Sequence, residues 1–523
     1  MDTSIRQVTT SATLEEKKKL KKEFKLFDMI FITIAGVIGI DTLGAVSSNG
    51  PQALTWLLIS AVTFLIPYGL LTSELGSTFT QEGGVYEWVK LAFGRIPASF
   101  AAMLYWISNP LWIGGTLSVT AIAAIKVFWF KNSNYQFFGS QAGNAITEIV
   151  IALIFIWGVT WSAILSLHVG KWLSVFGSYA KFALFALFVV LAIVYFGGGH
   201  STGAHIALGD IVPTGNLGFI FSAILPVLIF NWVGFELQNG AGEEMVNPQR
   251  DVPRALIRAG IVAVIAYAIP ITVILFTLSK SELSSASGFI KSYQIVANVL
   301  PTQFATILGW IVALAFVLGL ASSGSTWVIG ADRTYAIASL DRTAPVLLGR
   351  FSGRYGTPIA VNTMTGIMAS VAMIGAVIIN TYYGNASIAG LFGIVLGFVI
   401  STTLLSYLFI FPSYLALRLK YPHVHRPYAV PGGIVGAVVV SVLAFAYAAV
   451  ASVFLLWPTD SGIAASGFSR TTYELANFIP LAIIVALAIV FYVWGHVEKR
   501  NADVVIDYNL ETQVERVEGA GGE

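Results

Sequence analysis

Twelve stretches of this chain stay apolar for about twenty residues or more, the length needed to cross roughly 30 Å of hydrocarbon. They fall at 27–48, 53–76, 98–126, 144–167, 172–197, 217–242, 256–279, 303–338, 358–380, 386–415, 433–457 and 474–497. Of the 523 residues, 56% are hydrophobic and 11% charged, whereas soluble domains carry roughly 25% charged residues. So little polar surface cannot shield this much apolar surface from water. The fold class expected is therefore an all-α integral membrane protein of about 12 transmembrane helices, spans 1 to 12, in one large membrane domain.

Basic residues set the expected orientation. Of the 29 Lys and Arg, 23 fall in the two tails and in the loops that share their side, beginning with seven in residues 1–26. Five fall on the other side: Lys126, Lys131, Lys280, Lys291 and Arg470. This asymmetry predicts a multi-pass protein of the cell membrane with both termini cytoplasmic. The run Lys17, Lys18, Lys19, Lys21, Lys22 and Lys25 reads as a cytoplasmic tail rather than a signal peptide, since the first apolar stretch is full length and has no small-residue cleavage site. The acidic residues 498–518 and the Gly/Ala-rich 519–523 read as a disordered cytoplasmic tail. The remaining base, Lys181, lies in the middle of span 5.

Several classes drop out. Cysteine is absent, which excludes disulfides and thiolate chemistry. His168, His200, His205, His423, His425 and His496 sit near helix ends or in loops without metal-ligand spacing, so neither a metal nor a cofactor is expected. No Ser/His/Asp set, HExxH or metal cluster lies in the spans, which argues against an enzyme. The net charge of +2 says nothing of partners, since the basic residues are localised rather than spread over a surface, and no nucleic-acid partner is expected. Asn385-Ala386-Ser387 is a formal glycosylation sequon that reads as a polar loop. Oligomeric state is left open.

Two spans are interrupted by glycines beside an acid. Span 1 contains Gly36, Val37, Ile38, Gly39, Ile40, Asp41 and Thr42, and span 6 contains Phe230, Asn231, Trp232, Val233, Gly234, Phe235 and Glu236. Each glycine costs a helix roughly 1 kcal/mol relative to alanine. A helix broken at membrane depth persists only where its freed backbone groups line a cavity. A carboxylate at that depth is a functional candidate by default, and two broken spans at corresponding places in two halves of a chain point to a secondary transporter's substrate site. The half-helix after a break offers N–H groups to an anion, while the carbonyls before it suit a cation. Substrate-binding candidates are accordingly Val37, Ile38, Gly39, Ile40 and Asp41 with Asn231, Val233, Gly234 and Glu236. Asp41 also reads as an N-cap of a half-helix beginning near Thr42, and Glu236 as a structural partner of the kinked backbone. A channel is disfavoured because the glycine breaks form discontinuous helices, not rings of pore-lining repeats.

Four loops carry a resemblance. The run from Gly242 to Ala255, with Glu243, Glu244, Asn247, Pro248, Arg250, Asp251, Pro253 and Arg254, resembles the segment after the sixth helix in the amino acid, polyamine and organocation (APC) superfamily of permeases. So do Glu74-Leu75-Gly76 with Gln81-Glu82-Gly83-Gly84-Val85-Tyr86-Glu87-Trp88 after span 2, Gly330-Ala331-Asp332-Arg333 with Leu340-Asp341-Arg342 and Pro345 at the end of span 8, and Arg426-Pro427-Tyr428-Ala429-Val430-Pro431-Gly432-Gly433 before span 11. The resemblance implies the LeuT-type fold. Residues 27–415 would form a core of two inverted five-helix repeats, 27–197 and 217–415, followed by a loop and helices 11 and 12 over 416–497.

It also implies a secondary active transporter working by alternating access on amino acids or related amines, sodium-independent, and either proton-coupled or an exchanger. A permease specific for polyamines or cationic amines is the alternative. Protons and the lipid bilayer are then its other partners. Lys181 matches a lysine that many sodium-independent members carry where sodium-coupled relatives bind a metal ion. Its implied partners are carbonyls near Gly36 and the hydroxyls of Ser322 or Ser323. Phe230 matches an aromatic that stacks on substrate in arginine-exchanging relatives, and Tyr105 a helix-three aromatic of the same pocket. Glu236 matches a glutamate linked to proton sensing or transport in some antiporters, which makes it a coupling candidate as well. Where most members have Gly-Ser-Gly, this chain has Gly39-Ile40-Asp41. A Gly, apolar, Glu sequence stands there in the plant polyamine uptake branch, which implies that Asp41 and Glu236 grip amino groups.

Overall fold

In this computed structural model, residues 7–498 and 504–507 are described, apart from 133–134, 137–139, 166, 201–205, 207, 214, 280–281, 284–286, 383–387 and 467–468. The Asn385-Ala386-Ser387 sequon, His205 and residues 508–523 of the expected tail lie outside the described residues.

Eleven helices among the described residues are long and apolar enough to cross a bilayer. They are span 2 (Gln52–Thr78), span 3 (Arg95–Phe128), span 4 (Ala142–Leu165), span 5 (Lys171–Gly197), span 6 (Leu217–Glu244), span 7 (Pro248–Thr277), span 8 (Thr302–Thr343), span 9 (Ile359–Ile378), span 10 (Phe392–Lys420), span 11 (Gly433–Leu456) and span 12 (Arg470–Val497). Span 1 completes the expected twelve in two pieces, Leu26–Val37 and Leu43–Ser47. Span 6 also breaks, into a helix ending at Trp232 and a tighter 3-10 segment over Leu237–Glu244. Both interruptions fall where the glycines place them.

Packing follows the two-repeat plan. Spans 3 and 10 pack together, and so do spans 8 and 5, which replace them when the repeats are exchanged. Spans 4 and 9 pack on each other, span 1 lies against span 7, and span 6 lies against span 2. The broken spans therefore run through the middle of the bundle. Glycine also makes a close approach of span 3 to span 9 feasible: a Cβ on Gly114 of span 3 would lie 2.2 Å from the Ala369 carbonyl oxygen of span 9.

The face that carries both termini is more built up than the hydropathy suggests. After span 2 the chain forms a short helix, Val85–Phe93, whose Tyr86, Glu87, Trp88 and Lys90 are buried. The N-terminal tail is partly ordered: Ser11–Lys17 is helical, and Phe24 bridges to Met245 at the end of span 6. The disorder expected of the C-terminal tail needs correction at one place. Val504–Asp507 pairs antiparallel with Gln7–Thr10, so that main-chain hydrogen bonds tie a β-branched stretch of one tail to the other.

Gly114→Ala is expected to destabilise the bundle by about 1–3 kcal/mol, because the methyl meets backbone that cannot move aside. Gly69, in span 2, has nothing within 4 Å of its Cβ position, so Gly69→Ala should be neutral or stabilising by up to about 1 kcal/mol. Thermal unfolding of both variants in detergent checks the pair; Gly114→Ala melting as high as Gly69→Ala would sink the packing argument.

Candidate substrate site

Breaking a helix inside a bundle frees backbone groups, and each needs a partner because no water is at hand. The break in span 1 meets this demand with side chains from three other spans. The helix ends at Val37, and Ile38 turns extended with φ −83° and ψ 93°. Lys181 Nζ of span 5 donates to the carbonyl oxygens of Ala35 at 2.8 Å and Ile38 at 2.7 Å, and to Ser323 Oγ of span 8 at 2.7 Å. Ser323 Oγ donates in turn to Ala35 O at 3.0 Å. Trp327 Nε1 of span 8 donates to Gly36 O at 3.1 Å. Tyr267 of span 7 works at both sides of the break: its hydroxyl donates to Val37 O at 2.7 Å and accepts from Gly39 N at 2.8 Å. Of the two serines implied for Lys181, the geometry selects Ser323, since Ser322 Oγ donates to Gly319 O within its own helix.

Span 6 breaks by a different device. Val233 is extended, and Gly234 has φ +113°, a conformation that strains any residue with a Cβ. The freed N–H groups of Gly234 and Phe235 both donate to Tyr68 Oη of span 2, at 3.1 and 3.2 Å.

The two acids have different surroundings. Asp41 is buried, and its Oδ2 accepts from Trp112 Nε1 at 2.8 Å and Thr116 Oγ1 at 3.1 Å, one turn apart on span 3. Its other oxygen, Oδ1, is buried without a hydrogen-bond partner. The half-helix beyond the break takes Thr42 as its N-cap, with no side-chain cap bond, so Asp41 does not fill the capping role. Glu236 instead sits among three tyrosine hydroxyls: Tyr105 at 2.7 Å, Tyr407 at 2.6 Å, and Tyr68. Tyr105 is thus a partner of Glu236, and its ring lies 5.7 Å from that of Trp327.

Between the breaks lies a small cavity of about 10 Å³, lined by Gly36, Val37, Gly39, Thr42, Trp112, Phe230, Asn231, Val233, Tyr267 and Trp327. Of the sequence-derived candidates, Val37, Gly39, Phe230, Asn231 and Val233 border it. Asp41 adjoins it: Oδ1 lies 3.1 Å from where a Cβ on Gly39 would stand. Ile38 contributes a carbonyl to Lys181, while Ile40, Gly234, Tyr105 and Glu236 stand outside the lining. Phe230 meets Trp112 edge-on, with centroids 6.0 Å apart. Asn231 leaves both amide atoms buried and unpartnered. A buried polar group without a partner costs about 1–3 kcal/mol, so Asn231 and Asp41 Oδ1 mark where a polar ligand would be stabilised.

Sequence reading missed Trp112, Thr116, Tyr267, Trp327, Tyr68 and Tyr407. One signal existed in span 3, where Pro110 precedes, and Gly114-Gly115 lie within, a widened turn over Ile113–Leu117, a feature frequent at functional sites. The three tyrosines are single hydroxyls in apolar helices, and their meeting points depend on the packing of distant spans.

Residues 24–489 match the family model described as amino acid permease. This chain belongs to the amino acid permease family. It is 28% identical to a probable agmatine/putrescine antiporter of Lactococcus lactis subsp. lactis, across 79% of this chain and 83% of that protein. A glutamate/gamma-aminobutyrate antiporter of the same subspecies is 24% identical across 93% of both chains. A branched-chain amino acid permease of Bacillus subtilis is 22% identical across 80% of this chain and 86% of its own length. With the family and the fold in agreement, the permease is a secondary transporter of amino acids or related amines.

Replacing Lys181 by alanine would leave the Ile38 carbonyl without its side-chain donor, at about 1–3 kcal/mol, and the Ala35 carbonyl with Ser323 alone. Lys181→Ala is therefore expected to lower transport in proteoliposomes roughly 100-fold while the protein still elutes as a folded species. Retention of half the wild-type rate would show that the ammonium does not hold the broken span.

Proposed function

We propose that this permease carries amines that lack a compensating carboxylate, such as decarboxylated amino acids and diamines, in preference to zwitterionic amino acids. One observation carries the reading: a carboxylate, Asp41, stands at the break of span 1 with one oxygen unpartnered beside the cavity. A substrate carboxylate brought there would meet a like charge. Two unit charges about 4 Å apart interact by ~4 kcal/mol at an effective dielectric of about 20, attraction for an ammonium and repulsion for a carboxylate. The aromatic lining of Trp112, Phe230 and Trp327 suits the same substrates, since a cation over a ring face gains about 0.5–2 kcal/mol. The similarity to an agmatine/putrescine antiporter agrees with this preference.

The cycle follows from the same groups. Lys181 supplies three donors at the meeting of spans 1, 5 and 8, where an ion would otherwise bridge them, so transport needs no sodium. Glu236, enclosed by Tyr68, Tyr105 and Tyr407, is the coupling acid beside the break of span 6. The excess of bases on the terminal side supports a reading with both tails in the cytoplasm. Its activity is transport, without enzymatic chemistry.

Calorimetric titration with putrescine, agmatine, arginine and alanine tests the preference. The diamine and agmatine are expected to bind at least about tenfold tighter than alanine, a difference of ~1.4 kcal/mol. Asp41→Gly should weaken the amines and strengthen alanine. An Asp41→Gly protein with an unchanged ranking would return the permease to ordinary amino acid transport. Exchange of sodium for choline should leave uptake unaltered, and a sodium requirement would contradict the role given to Lys181.

A further inference from the structure

A second cluster of buried charge lies on the terminal face, away from the substrate cavity. Arg333 of span 8, 1% exposed, reaches two acids from different elements. Its Nε is 3.1 Å from Glu244 Oε1 at the end of span 6 and 3.4 Å from Glu82 Oε1 in the loop after span 2. Glu82 is 0% exposed and Glu244 3%. The other Glu82 oxygen accepts from Glu243 N at 3.2 Å. The N-terminal tail closes over the group: Lys17 Nζ pairs with Glu243 Oε1 at 2.6 Å, and Glu23 N and Phe24 N donate to Glu244 O at 2.8 and 3.0 Å. The charged groups facing Glu82 and Glu244 are therefore Arg333, Glu243 with its partner Lys17, and Glu23.

The charges do not balance. Lys17 neutralises Glu243, and one guanidinium remains for two enclosed carboxylates. An uncompensated charge in such surroundings is expensive, and two acids sharing a site resolve the conflict by retaining a proton. Burial first, and then the neighbouring Glu244 carboxylate, push Glu82 above the usual carboxylate range, with Arg333 acting against them.

We propose that the Glu82, Glu244 and Arg333 cluster is a proton-binding latch on the terminal mouth of the permease, in which the acid pair takes up one proton when the mouth closes and releases it to water when the end of span 6 moves away from span 8. The inference rests on the alternating-access reading above, and it adds a protonation site distinct from Glu236. The sign follows directly. The closed mouth binds one proton more than the open mouth, so low pH on the terminal side favours closure and rising pH favours opening.

The chain has no cysteine, so a single thiol at Ala241, which is 1% exposed next to the latch, reports opening without background. The test is the labelling rate of Ala241→Cys by a water-soluble maleimide, divided at each pH by the rate of the same thiol in unfolded protein. It uses no substrate, and thus stands or falls apart from the amine preference. In the otherwise wild-type protein the corrected rate should climb with pH between 5.5 and 8, by up to about tenfold per unit, the limit for one proton. Adding Glu82→Gln or Glu244→Gln leaves one acid for one guanidinium, and either change should flatten the profile. Because both variants make the same forecast, one that fails to fold leaves the other to decide. Glu87→Gln, in the neighbouring Glu87, Asp341 and Lys90 cluster, which Lys17 also faces, should leave the slope in place. A flat profile in the parent protein, a slope that survives both Glu82→Gln and Glu244→Gln, or a slope abolished by Glu87→Gln overturns the assignment.

Discussion

Unwinding a helix inside a membrane bundle exposes peptide groups to surroundings with no water, and the architecture is arranged around satisfying them. Five backbone groups between Ala35 and Gly39 receive side-chain partners from spans 5, 7 and 8. Lys181 is central because a single ammonium binds the Ala35 carbonyl in the last turn before the break, the Ile38 carbonyl at the break and the Ser323 hydroxyl of span 8. An ammonium at that depth is itself costly without acceptors, so each group stabilises the other. The same contacts fasten span 1 to spans 5, 7 and 8, and any movement of span 1 during transport must either carry these partners along or exchange them.

Two acids near the breaks have unlike surroundings. Glu236 finds three hydroxyl donors, which suit an anion and fix its orientation. Asp41 has two donors on one oxygen and none on the other. Unfinished hydrogen bonding beside a cavity is a ligand's opportunity, whereas a completed shell belongs to the protein's own machinery. Asn231, like Asp41 Oδ1, leaves buried polar atoms unpartnered.

The four loop motifs that carried the family resemblance gather on the terminal face as buried ion-pair clusters. Glu74 accepts from Tyr414 Oη, Arg418 and the Val430 N–H, and pairs with Arg426 at 3.0 Å, which ties span 2 to span 10 and the loop before span 11. Lys90 pairs with Glu87 and Asp341, and Arg333 with Glu82 and Glu244. Breaking one partner from a buried pair costs about 3–5 kcal/mol, so these clusters hold the elements of this face together.

Hydropathy by itself determined the number of spans, because crossing a bilayer imposes a minimum apolar length that shows in local composition. Glycine beside an acid located both breaks, because a broken helix needs residues that tolerate it and a carboxylate there needs a reason. Lys181 stood out for the same cause: a lone base in an apolar span cannot be accidental. Tertiary structure decided everything that depends on which spans meet. It chose Ser323 over Ser322, directed Asp41 to Trp112 and Thr116 instead of a cap, brought Tyr68, Tyr105 and Tyr407 from three spans onto Glu236, and set Glu82 against Glu244 across Arg333. Membrane insertion depends on short-range composition and is written into consecutive residues. Hydrogen bonding between residues hundreds of positions apart depends on packing, which no local pattern records.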